Sequence, residues 1–124
     1  MNQHRIVRHV LVVDDDPIIR DMMVDILGFE DCTVCTARNG NEALEVLRGE
    51  QDYLVFLDLM MPGLSGEKVC EILHADATLR SRHVIVLMSA KEKAAEGITL
   101  QVDAMLPKPF SLDEVLEVLE PYRG

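Results

Sequence analysis

The 124-residue sequence has no tryptophan, two tyrosines, three phenylalanines and only three cysteines. An odd, sparse set of cysteines excludes a disulfide framework, so reduced and buried thiols are expected at Cys32, Cys35 and Cys70. Cys32 and Cys35 do spell C-x-x-C. Residues three apart on a strand point to opposite faces, however, and no second ligand pair accompanies them, which argues against redox or metal chemistry there. Bases are also scarce: 12 Lys and Arg against 22 Asp and Glu leave a net charge of -10. That sign opposes the phosphate neutralisation on which nucleic-acid binding depends and disfavours anionic membrane surfaces. No apolar run approaches the ~18 residues of a membrane span. The start, Met1 to His9, lacks the apolar centre of a signal peptide, and a cytoplasmic setting is expected. His4, His9, His74 and His83 follow no ligand spacing, so surface or rim positions are expected for them.

Against these absences stands one conspicuous stretch, Tyr53-Leu54-Val55-Phe56-Leu57-Asp58-Leu59-Met60-Met61-Pro62-Gly63, an apolar run closed by a single acid and a Pro-Gly turn. A short run of this kind reads as a fully buried strand. His9 to Val13 is a similar run that delivers Asp14, Asp15 and Asp16 to its carboxyl tip. Asp16 is a good N-cap and Pro17 a good first helical residue, and Ile18, Ile19, Met22, Met23, Ile26 and Leu27 recur at helical spacing before Gly28. Thr33 to Ala37 reads as the second strand. Asn39 and Glu42 have capping-box spacing ahead of Ala43, Leu44 and Leu47.

After the central strand, the spacing predicts a helix from about Ser65 to Ala75, then a loop carrying Asp76, Arg80 and Arg82. Val84 to Met88 is a fourth strand ending in Ser89, and Lys91 to Leu100 a weak helix with Ala94, Ala95 and Ile98 inward. Ala104 to Leu106 is a short fifth strand before Pro107-Lys108-Pro109. Ser111 and Glu114 open a last helix with Leu112, Val115, Leu116 and Leu119 on one face. No repeat or linker interrupts the pattern, so residues 1–124 read as one domain with no output domain.

Five strands alternating with helical segments imply a doubly wound α/β domain, because right-handed crossovers lay helices over both faces of a parallel sheet. The strand order expected for a small domain of this class is 2-1-3-4-5, with a crevice between strands 1 and 3. Asp14 and Asp15 would then lie beside Asp58, and Ser89 and Lys108 would arrive from strands 4 and 5.

Two carboxylates about 4 Å apart repel by roughly 4 kcal/mol at an effective dielectric near 20, so clustered acids call for a cation. Hard oxygen donors favour Mg2+, with Asp15 and Asp58 as direct ligands and the Met60 carbonyl as a third. With the metal and Lys108 present the cluster is formally neutral, and Asp58 can attack phosphorus in line. Lys108 and the Ser89 hydroxyl are placed to stabilise the phosphoryl oxygens.

The segments Val12-Val13-Asp14-Asp15-Asp16-Pro17, Leu57-Asp58-Leu59-Met60-Met61-Pro62-Gly63, Met88-Ser89-Ala90 and Lys108-Pro109-Phe110 together resemble a response-regulator receiver domain of two-component signalling. The resemblance covers essentially the whole chain and implies the flavodoxin-like arrangement. It implies that Asp58 is the phosphoacceptor, supplied by a phosphohistidine of a sensor histidine kinase or histidine phosphotransfer protein. Asp14 and Asp15 match the metal-binding acidic pair, Ser89 the switch hydroxyl and Lys108 the phosphate-binding lysine, usually followed by a cis proline bond. Such a domain is a signalling module that dephosphorylates itself slowly, not an enzyme with a separate substrate. Its output would pass to a separate effector through the face formed by the fourth helix, fifth strand and fifth helix, or through a homodimer on that face.

The chain departs from the family pattern in several places. Met105 stands where receivers usually carry Tyr or Phe, and a flexible thioether has no ring to occupy two discrete wells. The Ser89 to Lys108 separation is about three residues shorter than usual, nearly one helical turn. The familiar glycine before the fifth strand is absent, with Val102-Asp103 in its place. Met60 and Lys91 flank the phosphate entrance without a clear water-positioning base, so a long-lived aspartyl phosphate is expected. Two other readings compete: a phosphorylation-independent binding module, and a haloacid-dehalogenase-like phosphatase, which would need an acid at Met60.

Overall fold

The computed structural model describes residues 6–90 and 99–123. A five-stranded parallel sheet runs in the order β2-β1-β3-β4-β5, the order expected. The strands are β1 (His9–Val13), β2 (Thr33–Ala37), β3 (Leu54–Asp58), β4 (Val84–Ala90) and β5 (Ala104–Lys108). Helices α1 (Pro17–Gly28), α2 (Gly40–Leu47), α3 (Gly66–His74), α4 (Ala77–Ser81) and α5 (Leu112–Leu119) complete the described elements, with a 3-10 turn at Glu120–Tyr122.

Strand periodicity splits the core into two layers. Val10, Val12, Leu54, Phe56, Val84, Val86 and Met88 face one way and pack with Met23 and Leu27 of α1 and Val115 and Leu119 of α5. Leu11, Val13, Val55, Leu57, Ile85 and Leu87 face the other way, against Ala43, Leu44 and Leu47 of α2 and Val69, Cys70 and Leu73 of α3. All five residues of β3 are buried, consistent with its central place in the sheet. The fully buried Phe56 alone contributes about 1.5–3 kcal/mol relative to an exposed ring.

Capping follows the sequence signals closely. Asp16 accepts from the Ile18 N–H, Ser65 from the Lys68 N–H, and Ser111 with Glu114 forms a complete capping box. At α2 the box is not closed. Asn39 caps the Glu42 N–H, but the Glu42 carboxylate turns back to the Arg38 backbone and guanidinium.

Several expectations need correction. The segment read as a loop from Asp76 to Arg82 contains α4, capped by Asp76 accepting from Leu79 N–H. Five residues are too few to display a helical period. His83, expected at the surface, is buried at 1% exposure: its Nδ1 accepts from the Tyr53 N–H at 3.1 Å and its Nε2 lies 2.9 Å from the Leu47 carbonyl. Cys70 is buried as expected, whereas Cys32 and Cys35 are only half-buried and pack in opposite layers. Strands β4 and β5 extend two residues beyond the predicted Met88 and Leu106, so Ser89 and Lys108 belong to the sheet itself. Before β5, Gln101 takes the left-handed conformation, with φ 55°. The expected helix from Lys91 to Leu100 falls largely on residues 91–98, outside the described residues.

Candidate functional site

In a parallel sheet the carboxyl ends of all strands emerge on one edge, and the strand order reverses between β1 and β3. Register sets what meets there. Val13 pairs with Leu57, Asp58 with Met88, and Ser89 with Pro107, so the residues following β1 stand beside the end of β3. Sequence and topology thus place four separate chain segments around one crevice.

Single ligand atoms of Asp14, Asp15 and Asp58 lie within 4.8 Å of one another. Lys108 Nζ donates to Asp14 Oδ2 at 3.0 Å and to Asp58 Oδ1 at 3.2 Å. The bond between Lys108 and Pro109 is cis. Asp14 is fully engaged, since its Oδ1 also accepts from the Asp16 N–H at 2.9 Å. Asp15 is exposed and accepts no hydrogen bond among the described residues. This division of labour leaves Asp15 and the second oxygen of Asp58 as the free hard donors. An all-oxygen set of this kind fits Mg2+, and the Asp14 carboxylate is already held by Lys108 and the Asp16 N–H.

Burial and the neighbouring Asp14 charge push the Asp58 carboxyl up to about 6, against the opposing pull of Lys108. At neutral pH Asp58 is therefore still mostly ionised. Burial disfavours the Lys108 ammonium, but the hydrogen bond to Asp14 and the charges of Asp58 and Asp14 more than offset it, and its pKa is raised. The lysine stays charged.

Ser89 is 2% exposed, and its Oγ is buried without a hydrogen-bond partner among the described residues. A buried hydroxyl left unsatisfied costs about 1–3 kcal/mol, which a ligand oxygen arriving at this edge would relieve. Met60, two residues beyond Asp58, is 67% exposed at the mouth. Met105 is not part of the carboxylate cluster. It is half-buried on β5 opposite Leu87 and packs with the α2–α3 layer of the core. Lys91 lies outside the described residues.

Two residues near the site were not singled out in the sequence. The Arg20 Nη1 donates to the Asp14 carbonyl at 2.6 Å. Nothing in the helical pattern of α1 sets this arginine apart. Gly66 begins α3 directly against the end of β3: its N–H donates to Leu59 O, and a Cβ there would stand 2.2 Å from the Asp58 carbonyl oxygen. Only glycine permits that approach. Its position after the Pro62-Gly63 turn and the Ser65 cap was the available hint.

The family model described as the response regulator receiver domain matches residues 10–120. Response regulator MprA of Mycolicibacterium vanbaalenii is 36% identical over 110 residues, which cover 86% of this chain and 46% of that protein. The chain thus spans less than half the length of that curated relative. Chemotaxis protein CheY4 of Vibrio cholerae superposes with a TM-score of 0.78 at 27% identity, covering 94% of this chain and 98% of that one. Response regulator TrrA of Thermotoga maritima, solved in complex with Mg2+-BeF, gives a TM-score of 0.77 at 34% identity, covering 91% and 96% of the two chains. No helix among the described residues is long and apolar enough to cross a membrane.

Proposed function

This chain belongs to the response regulator receiver domain family, whose members are signalling domains, and from that premise we propose that Asp58 accepts a phosphoryl group in a Mg2+-dependent reaction. The donor is a phosphohistidine of a sensor histidine kinase or histidine phosphotransfer protein. An Asp58 carboxylate oxygen forms a bond to phosphorus as the phosphorus–nitrogen bond breaks, and the electron pair leaves with the imidazole. Asp58 must be anionic for this, and its pKa near 6 leaves it so at neutral pH. Asp15, Asp58 and the Met60 carbonyl would hold the metal, which supplies positive charge to the phosphoryl oxygens when bound.

Lys108 now hydrogen-bonds the two acids, and it can exchange its bond to Asp58 for one to a phosphoryl oxygen without leaving the site. Ser89 has an unused hydroxyl on the neighbouring strand for a second oxygen. The single observation that carries the reading is the Lys108 bridge across Asp14 and Asp58 at 3.0 and 3.2 Å, which joins three strands at the acidic edge. The signal would leave through the face of β5 and α5, toward an effector or a second copy of the chain. The net charge of -10 supports a protein partner over nucleic acid.

Incubation with Mg2+ and acetyl phosphate, followed by intact-mass measurement, tests the assignment. One phosphoryl group should be gained by the wild type and none by Asp58→Ala. Equal labelling of the two proteins would refute it.

A further inference from the structure

We infer that Arg20 is a positioning residue for the Mg2+ site, acting through the Asp14 carbonyl to aim Asp15. The inference rests on the proposed Mg2+-dependent phosphoacceptor role and adds to it a residue of α1 outside the acidic cluster. Every polar group of Asp14 is engaged: its N–H donates to the Ala37 carbonyl, its Oδ1 accepts from Asp16 N–H and its Oδ2 from Lys108. Its carbonyl accepts from Arg20 Nη1 at 2.6 Å, the only one of the four bonds made by a charged side chain of α1.

That fourth bond matters because the Asp14 carbonyl and the Asp15 amide share one planar peptide unit. Fixing the carbonyl fixes the plane from which Asp15 departs. The Asp15 carboxylate itself has no hydrogen bond to orient it among the described residues, and yet it is the exposed member of the cluster. Its aim is thus set by its backbone, which Arg20 fixes on the Asp14 side and the Asp16 N–H bond on the other. Arg20 also sits on the helix that Asp16 caps, so the arginine and the cap fasten the turn between β1 and α1 from both sides.

A simple charge argument gives the opposite sign to this geometric one, which makes the idea testable. Arg20 is a cation beside a cation site, so electrostatics alone says that removing it should tighten Mg2+ binding. If it positions Asp15, removing it should weaken binding, and loss of such a supporting partner typically costs roughly tenfold or more in metal affinity.

The test is calorimetric titration of the full chain with MgCl2, without any phosphodonor, for wild type, Arg20→Met and Arg20→Lys. Thermal unfolding in EDTA confirms that each is folded. Arg20→Met should bind Mg2+ roughly tenfold more weakly, and Arg20→Lys, which keeps a charged donor of nearly the same reach, should recover part of that loss. Binding by Arg20→Met as tight as wild type or tighter would overturn the inference, as would Arg20→Lys binding no better than Arg20→Met. Failure of the wild type itself to bind Mg2+ would instead overturn the metal-dependent reading on which the inference rests.

Discussion

Asp103 Oδ2 accepts two hydrogen bonds at once, from the Arg80 guanidinium at 3.0 Å and from the Ile85 N–H at 2.8 Å. Arg80 also donates to the His83 and Gln101 carbonyls, so one side chain of α4 ties the start of β4 to the turn that leads into β5. The Arg80 side chain is 15% exposed and that of Asp103 39%, so solvent screens the pair on the Asp103 side. Arg80→Met keeps the stem packed and deletes every donor. It should destabilise the fold by about 1–2 kcal/mol in urea unfolding, because Asp103 and the two carbonyls lose the Arg80 donors, while removal of the buried, unbonded Arg80 Nε offsets part of the loss. Asp103→Asn, which can still accept from Ile85, should cost roughly half as much. No loss in Asp103→Asn would show that the charge contributes nothing, and a loss equal to that of Arg80→Met would show that it carries the whole effect.

The raised pKa of Asp58 fixes a sign for the pH response. Its folded value of about 6 lies above the ordinary 3.8, so for this group the metal-free fold gains stability as pH falls through that window and loses it as pH rises. Mg2+ binds the anion and reverses the trend. Excess MgCl2 should therefore raise Tm clearly at about pH 7.5 and scarcely at about pH 5, where bound protons compete with the metal. Equal shifts at the two pH values would separate Mg2+ binding from Asp58.

Gly66 is the point where α3 meets the end of β3. A methyl group in Gly66→Ala would lie 2.2 Å from the Asp58 carbonyl oxygen, a backbone atom that cannot swing aside. Either the helix or the end of β3 must move. A stability loss at the upper end of ~1–3 kcal/mol is expected, with a lower rate of labelling by acetyl phosphate at saturating Mg2+. A variant with wild-type stability and labelling rate would mean that the helix start relaxes freely.

The parts legible in the sequence were those written in local chemistry. The apolar run from Leu54 to Leu57 in β3 reads as a central strand because every one of its residues is buried, and the acids at the ends of β1 and β3 converge because parallel strands share one carboxyl edge. The parts that were not legible depend on where distant segments land. His83 looked like an ordinary rim histidine, but both ring nitrogens meet backbone groups of Leu47 and Tyr53, residues 36 and 30 positions away. Arg20 reads as one polar residue of a helix until the turn before it brings the Asp14 carbonyl within reach. The α4 helix is held by one cap and one buried side chain, Leu79, too little for a period.

Gln101 takes a left-handed backbone with φ 55° while its carbonyl accepts from Arg80. A residue with a Cβ pays roughly 1–2 kcal/mol in that region. Gln101→Gly relieves this and keeps the carbonyl, although the more flexible unfolded chain offsets part of the gain. A net rise of about 0.5–1 kcal/mol is expected, seen as a higher urea midpoint with unchanged slope. A lower midpoint would mean that the exposed Gln101 side chain stabilises the turn by more than its strain.

Among the described residues, Met60 is placed by its position in the chain to set how long a phosphoryl group would survive on Asp58. It stands two residues beyond the acceptor, is 67% exposed, and has neither a donor nor a strong acceptor with which to hold a water. Hydrolysis needs a water oxygen to attack phosphorus in line as the bond to the Asp58 oxygen breaks, returning the carboxylate and inorganic phosphate. An apolar thioether at the mouth disfavours that water by excluding it without orienting it. A carboxamide of similar reach can accept one of its protons and hold it near phosphorus, so Met60→Asn should shorten the phosphoryl lifetime by several-fold, on the order of tenfold at most. Met60→Leu, which stays apolar, should leave it unchanged. Decay of the phosphorylated mass after acetyl phosphate is removed provides the measurement in both variants. If Asn leaves the decay unchanged or slows it, Met60 does not control access to phosphorus. If Leu accelerates the decay as much as Asn does, the cause is lost packing at the mouth and not a held water.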